Sequence, residues 1–188
     1  MADGTLKVGT ITTSSGTGTI TIGQSGETVS IPAGTTVSGA GANTPAFMAY
    51  LSGNQTVSDG VMTKIAFNVE RLDTDSCFDL STYRFTPTAA GTYVAFCYLE
   101  GYSAGASALR AVNINVYKNG SGYHRVRFDM SNNDGFLMPN FTNVIVEMNG
   151  TTDYLEFYGS ADGTSGTQYF VGDSDTQTYC GAYRLIGA

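Results

Sequence analysis

Between Ser81 and Leu99 the chain reads STYRFTPTAAGTYVAFCYL, and this stretch leaves the backbone few options. Tyr83 and Phe85 alternate as in a strand, Pro87 breaks it, and Gly91 closes a turn. Tyr93, Val94, Phe96, Tyr98 and Leu99 then crowd into a second strand. Proline fixes φ and donates no ladder hydrogen bond, whereas glycine reaches backbone angles closed to other residues, so the turn is pinned at both ends. The expectation is two strands held side by side, with Phe85 and Phe96 helping to fill one core and the opposite face meeting something else.

The rest of the chain agrees with a β architecture. Thr, Ser, Gly, Val and Tyr dominate its 188 residues, with 24 glycines, so strong helix formers are scarce and β-branched and aromatic residues plentiful. That length suits one main domain and an appendage, with enough chain to bury a core. Net charge is −7, and basic residues cluster nowhere beyond Arg125 and Arg127. Neutralising phosphates takes several Lys or Arg on one face, which argues against nucleic acid and against an anionic membrane as partners. No apolar run nears the roughly 20 residues that span a bilayer. The start, Met1-Ala2-Asp3-Gly4, has neither the basic nor the apolar region of a signal peptide, so folding in a cytoplasm is expected.

The three cysteines, Cys77, Cys97 and Cys180, are odd in number and lack C-x-x-C spacing, which indicates no disulfide framework. Cys97 and Cys180 read as small buried apolar residues rather than metal ligands, because zinc usually takes four Cys or His and the chain has one His.

Residues 4 to 44 differ in character from the remainder of the chain. They are nearly all Gly, Thr and Ser, with Leu6, Val8, Ile11, Ile20, Ile22, Val29, Ile31 and Val37 falling mostly in i, i+2 pairs between Gly turns. That is the pattern of very short strands showing one face to a core. Thr19-Ile-Thr-Ile-Gly23 is nearly copied nine residues later as Thr28-Val-Ser-Ile-Pro32, and Thr36-Val37-Ser38 begins a third copy. The segment cannot bury a core alone, so the competing readings are a flexible linker and a stem in which three copies wind around one axis. Periodicity favours the stem.

From Pro45 on the strands lengthen. Ala46–Leu51, Met62–Val69, Leu109–Lys118, Tyr123–Met130, Asn143–Met148, Tyr154–Gly159 and Tyr179–Ile186 read as strands, joined in part by the hairpin signals Asn119-Gly120 and Asn149-Gly150. Val112, Ile114 and Val116 alternate with Asn113, Asn115 and Tyr117, giving one buried face and one polar or contacting face; Val126, Phe128 and Met130 are expected to be buried. Eight to ten strands with turns at this spacing suit a sandwich or barrel.

Four pieces in order resemble the C1q-like branch of the C1q and tumour-necrosis-factor jelly rolls. They are Ala46-Phe-Met-Ala-Tyr-Leu-Ser52, Tyr83-x-Phe85-x-Pro87-x-x-x-Gly91-x-Tyr93, Val116-Tyr-Lys-Asn-Gly120 and Tyr179-Cys-Gly-Ala-Tyr-Arg-Leu185. The resemblance covers residues 45 to 188 and implies an all-β, ten-stranded jelly-roll sandwich that assembles as a homotrimer. The chain shows no collagen Gly-X-Y stem. A Gly/Thr-rich repeat segment ahead of such a head resembles bacteriophage fibres and other virion surface proteins.

No catalytic constellation is visible, and an enzyme is not expected. His124 lies on the Val126/Phe128 side of its strand, with no nucleophile motif such as G-x-S-x-G, and reads as a structural residue. Asp162, Asp173 and Asp175 bracket a polar loop of the kind calcium accepts, though without EF-hand spacing, so the chain is read as needing no cofactor with calcium as the one candidate. Asn54, Asn119, Asn140 and Asn149 begin N-x-S/T, but glycosylation requires a secretory route. Tyr117, Tyr154 and Tyr158 stand opposite the core side, where they pack on neighbouring subunits or stack on a sugar ring; the implied trimer favours packing.

The expected function is that of a virion structural protein, a trimeric phage tail or capsid fibre made in the host cytoplasm and displayed on the virion surface. Residues 1–44 would bind other virion proteins as anchor or stem. Residues 45–188 would form the head, which would bind a host surface glycan or protein through the loops 101–108, 131–140 and 160–178. Tyr102, Asn132, Asn133 and Asp134 are the candidate contacts. The alternatives are a decoration protein that binds no receptor and a secreted C1q-like recognition module.

Overall fold

The computed structural model describes residues 10–13, 18–23, 25–31, 43–104, 108–130, 133–173 and 177–186. The chain divides into two units, Met1–Ala40 and Gly41–Ala188. Among the described residues of the first unit no strand forms, and Ile11, Ile20, Ile22, Val29 and Ile31 stand open to solvent. Within those described residues the paired apolar side chains, spaced by Gly, Ser and Thr, have no second layer to bury against. Leu6, Val8 and Val37 lie outside the described residues.

The second unit is all β among its described residues. Its strands are β1 (Ala46–Tyr50), β2 (Gln55–Val57), β3 (Thr63–Lys64), β4 (Val69–Asp73), β5 (Phe78–Asp79), β6 (Arg84–Phe85), β7 (Gly91–Ser103), β8 (Leu109–Lys118), β9 (Ser121–Asp129), β10 (Leu137–Met148), β11 (Leu155–Gly163), β12 (Gln168–Phe170) and β13 (Tyr179–Arg184). All pairings between them are antiparallel and form two sheets. In the first, β10 pairs with one edge of β7. The other edge of β7 pairs with β13 and then β1 and β4 at one end, and with β12 and then β2 at the other. The second runs β5-β6-β11-β8-β9, with β3 also on β11.

The stretch from Ser81 to Leu99 sits at the centre of this arrangement. Along β7 the residues Tyr93, Ala95, Cys97 and Leu99 are fully buried, which places Phe96 on the opposite face and corrects its expected place in the core. Parity decides this, because consecutive strand side chains point to opposite faces. Phe85 does enter the core, stacked on Phe47 at 4.6 Å and edge-on to Tyr93 at 5.8 Å, with Phe78 stacked on the same Phe47 at 4.6 Å. The buried Tyr93 hydroxyl donates to the Ala89 carbonyl at 2.6 Å and so ties the turn to the core. Burial pushes its phenol up to about 12. Gly91 is required by the backbone, with φ +149° and the Arg184 guanidinium 2.9 Å from where a Cβ would stand.

Several expected boundaries move for identifiable reasons. Tyr83 is no strand residue: it has φ +54° and ends a turn that Asp79 braces by accepting from the Ser81 and Thr82 hydroxyls at 2.6 and 2.7 Å. The strand expected over Met62–Val69 splits into β3 and the start of β4, because Ile65 and Phe67 plug the core from irregular backbone between them. β9 is a sheet edge, so Phe128 stays exposed while Val126 and Met130 are only partly buried. β10 starts at Leu137 and carries Pro139 within it, which an edge strand tolerates. The expected loops shorten: β10 takes the end of 131–140, β7 the start of 101–108, and β11 and β12 parts of 160–178.

Candidate functional site

The outward face of the first sheet is built from aliphatic and aromatic residues in register. Across β10, β7, β13 and β1 one row reads Phe141, Tyr98, Tyr179, Tyr50; the next Asn143, Phe96, Gly181, Met48; the third Ile145, Val94, Tyr183, Ala46. Twelve positions carry no charged side chain. Tyr98 stacks on Tyr179 at 5.3 Å and 15°, and Phe96 meets Tyr179 edge-on at 6.4 Å. Gly181 gives the Phe96 ring its seat, since a Cβ there would stand 2.3 Å from Phe96 Cζ. Ile145 is 61% exposed, Phe141 49% and Leu137 45%, and a depression of about 510 Å³ opens between Val94, Asn143, Ile145 and Tyr183.

Such a face is unusual for a lone antiparallel sandwich, whose outer sides normally alternate to polar. A contiguous apolar patch of this kind marks a surface that meets another molecule. Tyr102 extends it toward one end, against Phe136 at 4.4 Å and Tyr169 at 4.7 Å.

No protein-family model matches the sequence, and no curated protein does. Solved structures do. Eiger TNF from S. frugiperda superposes with TM-score 0.56 at 10% identity, over 76% of this chain and 93% of that one. The globular domain of zebrafish complement 1qA gives 0.52 at 12%, over 76% and 97%. Murine APRIL gives 0.52 at 12%, over 74% and 99%. The fold is the C1q/TNF jelly roll.

Within this C1q/TNF-like head the expected contact residues separate. Tyr102 belongs to β7 and to the aromatic cluster above rather than to a loop. Asn133 is exposed; Asp134 pairs with Arg110 at 3.5 Å and accepts from the Thr164 hydroxyl at 3.1 Å. Asn132 lies outside the described residues.

Tyr117, Tyr154 and Tyr158 do face away from the core, on the other sheet. Tyr117 and Tyr158 pack at 4.1 Å, and Tyr154 lies under Arg84, whose Cζ is 4.2 Å from its ring centre. They surround Glu156, which is paired with Lys64 Nζ at 2.5 Å and Arg84 Nε at 2.8 Å. Each of the three is half-buried within its own chain, so the larger unsatisfied aromatic face is the one on β7, β10 and β13. The outer side of β7 is the one the sequence reading expects to meet something else, but it carries Phe96, which that reading assigns to the core.

Asp162 stands 3.9 Å from Arg127, Asp173 is exposed in its loop, and Asp175 lies outside the described residues. Among the described residues no group of three or more His, Cys, Asp or Glu side chains could hold a metal. His124, opposite Val116 on β9, is half-buried.

Proposed function

We propose that this chain is a homotrimeric, non-enzymatic virion surface protein, a phage tail or capsid fibre whose C1q/TNF-like head binds the host surface. The observation that carries the reading is the uncharged aromatic face across β10, β7, β13 and β1, which a second and third copy would cover. The zebrafish neighbour is the globular domain of a complement protein, and the shared fold supports a binding rather than a catalytic role. The Gly/Thr-rich repeats, with Ile and Val pairs exposed in the single chain, suit a stem or anchor completed by three chains or by virion proteins.

A trimer presents three equivalent weak sites, and many trimers on one particle turn weak contacts into firm attachment. Light scattering on the purified chain tests the assembly: three chains of 19.8 kDa give 3 × 19.8, or about 59 kDa. Ile145→Asp puts a charge on the exposed β10 side of the face and leaves a folded monomer. A wild-type monomer, or an Ile145→Asp protein that still trimerises, overturns the interface. Adsorption of particles lacking the head then separates receptor binding from a purely decorative role, which predicts unchanged adsorption.

A further inference from the structure

We infer that the open depression lined by Tyr83 is a binding site for a neutral saccharide. It measures about 350 Å³ and is walled by the β1–β2 connection (Leu51, Ser52, Asn54), Gln55, the β3–β4 connection (Ala66, Asn68) and Tyr83. No charged side chain lines it. The two cations beside it in sequence turn elsewhere: Lys64 directs its ammonium to Glu156 and to the Thr82 carbonyl, and Arg84 its guanidinium to Glu156.

The walls are fixed by bonds that each use only part of an amide's capacity. Asn68 Oδ1 accepts from the Ser52 N–H at 2.9 Å, and its Nδ2 donates to Ser52 Oγ at 2.8 Å. Gln55 Oε1 accepts from the Ala66 N–H at 2.8 Å while its Nε2 donates to the Lys64 carbonyl at 2.8 Å. Asn54 uses only Oδ1, on the Gly172 N–H at 3.0 Å. A primary amide has two hydrogens and two lone pairs, so Asn68 and Gln55 each keep one of both, and Asn54 keeps both hydrogens of Nδ2. The Ser52 hydroxyl, which accepts from Asn68, keeps its own hydrogen to give.

The residual set mixes donors and acceptors without charge, held in place before any ligand arrives. A sugar hydroxyl needs that mixture, since it donates and accepts at once; a phosphate or carboxylate would call for a cation, and none is offered. Tyr83 supplies the aromatic wall against which the C–H face of a pyranose packs, and Leu51 and Ala66 add apolar surface. Tyr83 is also held at φ +54°, a conformation costly for a bulky residue, by the Asp79-braced turn before it and the Lys64 bond to Thr82. Backbone strain kept at a pocket wall is characteristic of binding sites.

This site differs from the outer loops of the proposed function and stands on the depression, not on the virion reading. Saturation-transfer NMR on the full chain tests it with methyl glucoside, methyl galactoside and methyl N-acetylglucosaminide, and with glucuronate as the charged control. Single-site affinity in the millimolar range is expected, with transfer to the ring protons of at least one neutral glycoside. Asn54→Ala, a change at an exposed side chain, should cut that transfer several-fold. Tyr83→Gly, which suits the left-handed backbone while removing the ring, should abolish it; circular dichroism and the melting curve confirm that both variants fold. No transfer from any neutral glycoside, transfer to glucuronate alone, or transfer surviving in both folded variants overturns the inference. A head that adsorbs to cells yet shows no transfer refutes this site and leaves surface recognition standing.

Discussion

Glu156 lies on the outer side of β11, yet its side chain is only 3% exposed, because Lys64, Arg84 and the tyrosines around them close over it. Changing Glu156 to Gln keeps the shape and removes the charge, leaving two cations facing an amide. Breaking a buried ion pair costs about 3–5 kcal/mol, and an exposed one about 0–1 kcal/mol. Lys64 and Arg84 are 25% and 40% exposed and can partly return to water, so the loss should fall between these limits, at about 2 kcal/mol. For a unit of this size that lowers the melting temperature by about 4–8 °C.

The pH dependence sharpens the test. Burial pushes the Glu156 carboxyl up, but hydrogen bonds and charge from Lys64 and Arg84 outweigh it and hold the group below its ordinary 4.5. A carboxyl depressed in the folded state contributes stability that is complete above its unfolded value and is lost as pH falls through the folded one. The gap between wild type and Glu156→Gln should be full at neutral pH and should shrink once the pH drops below that ordinary value. Thermal melts followed by circular dichroism across this range read both quantities. A gap that stays constant with pH, or a variant as stable as wild type, refutes the claim that the carboxylate organises this face.

Three further outcomes rest on the packing. Gly159→Ala places a methyl 2.4 Å from Leu99 Cδ1 and 2.7 Å from Phe170 Cζ, an overpacking that should cost about 1–3 kcal/mol in urea unfolding, with Leu99→Ala relieving part of it in the double variant. The Asp79 carboxyl, bonded first by the Ser81 hydroxyl and then by Thr82, should titrate at about 2 by NMR, and Ser81→Ala should move it up. Cys97 and Cys180 are cross-strand neighbours, both fully buried and both pushed well up by that burial. They should stay unreactive to a thiol reagent in the native protein and react only on unfolding.

How much of the fold is legible in the sequence depends on how strictly each strand alternates. The bounds of β8 coincide with the expected Leu109–Lys118, because Val112, Ile114 and Val116 against Asn113, Asn115 and Tyr117 leave one parity for the core. β10 is legible only from Asn143 on: Pro139 looks like a breaker unless the strand is known to be an edge, and edge position is a fact of topology. The depression lined by Tyr83 is invisible for a related reason. Its walls come from three separate connections, and Tyr83 reads as a strand residue although its backbone is left-handed.

The misplacement of Phe96 carries the most information. β7 offers two apolar sets, Tyr93, Ala95, Cys97, Leu99 and Val94, Phe96, Tyr98, and composition alone does not say which of them fills the core. The core takes the first because Tyr93 is locked to the turn at Ala89, which fixes the parity of every residue after it. The second set then faces outward beside Phe141, Ile145, Tyr179 and Tyr183, where nothing in the sandwich needs it. A strand apolar on both faces within an antiparallel sheet has two surfaces to bury, and the opposite sheet supplies only one cover. On the proposed trimer the second cover is the neighbouring head, so the stretch that directs the fold of one chain also directs its assembly with the next.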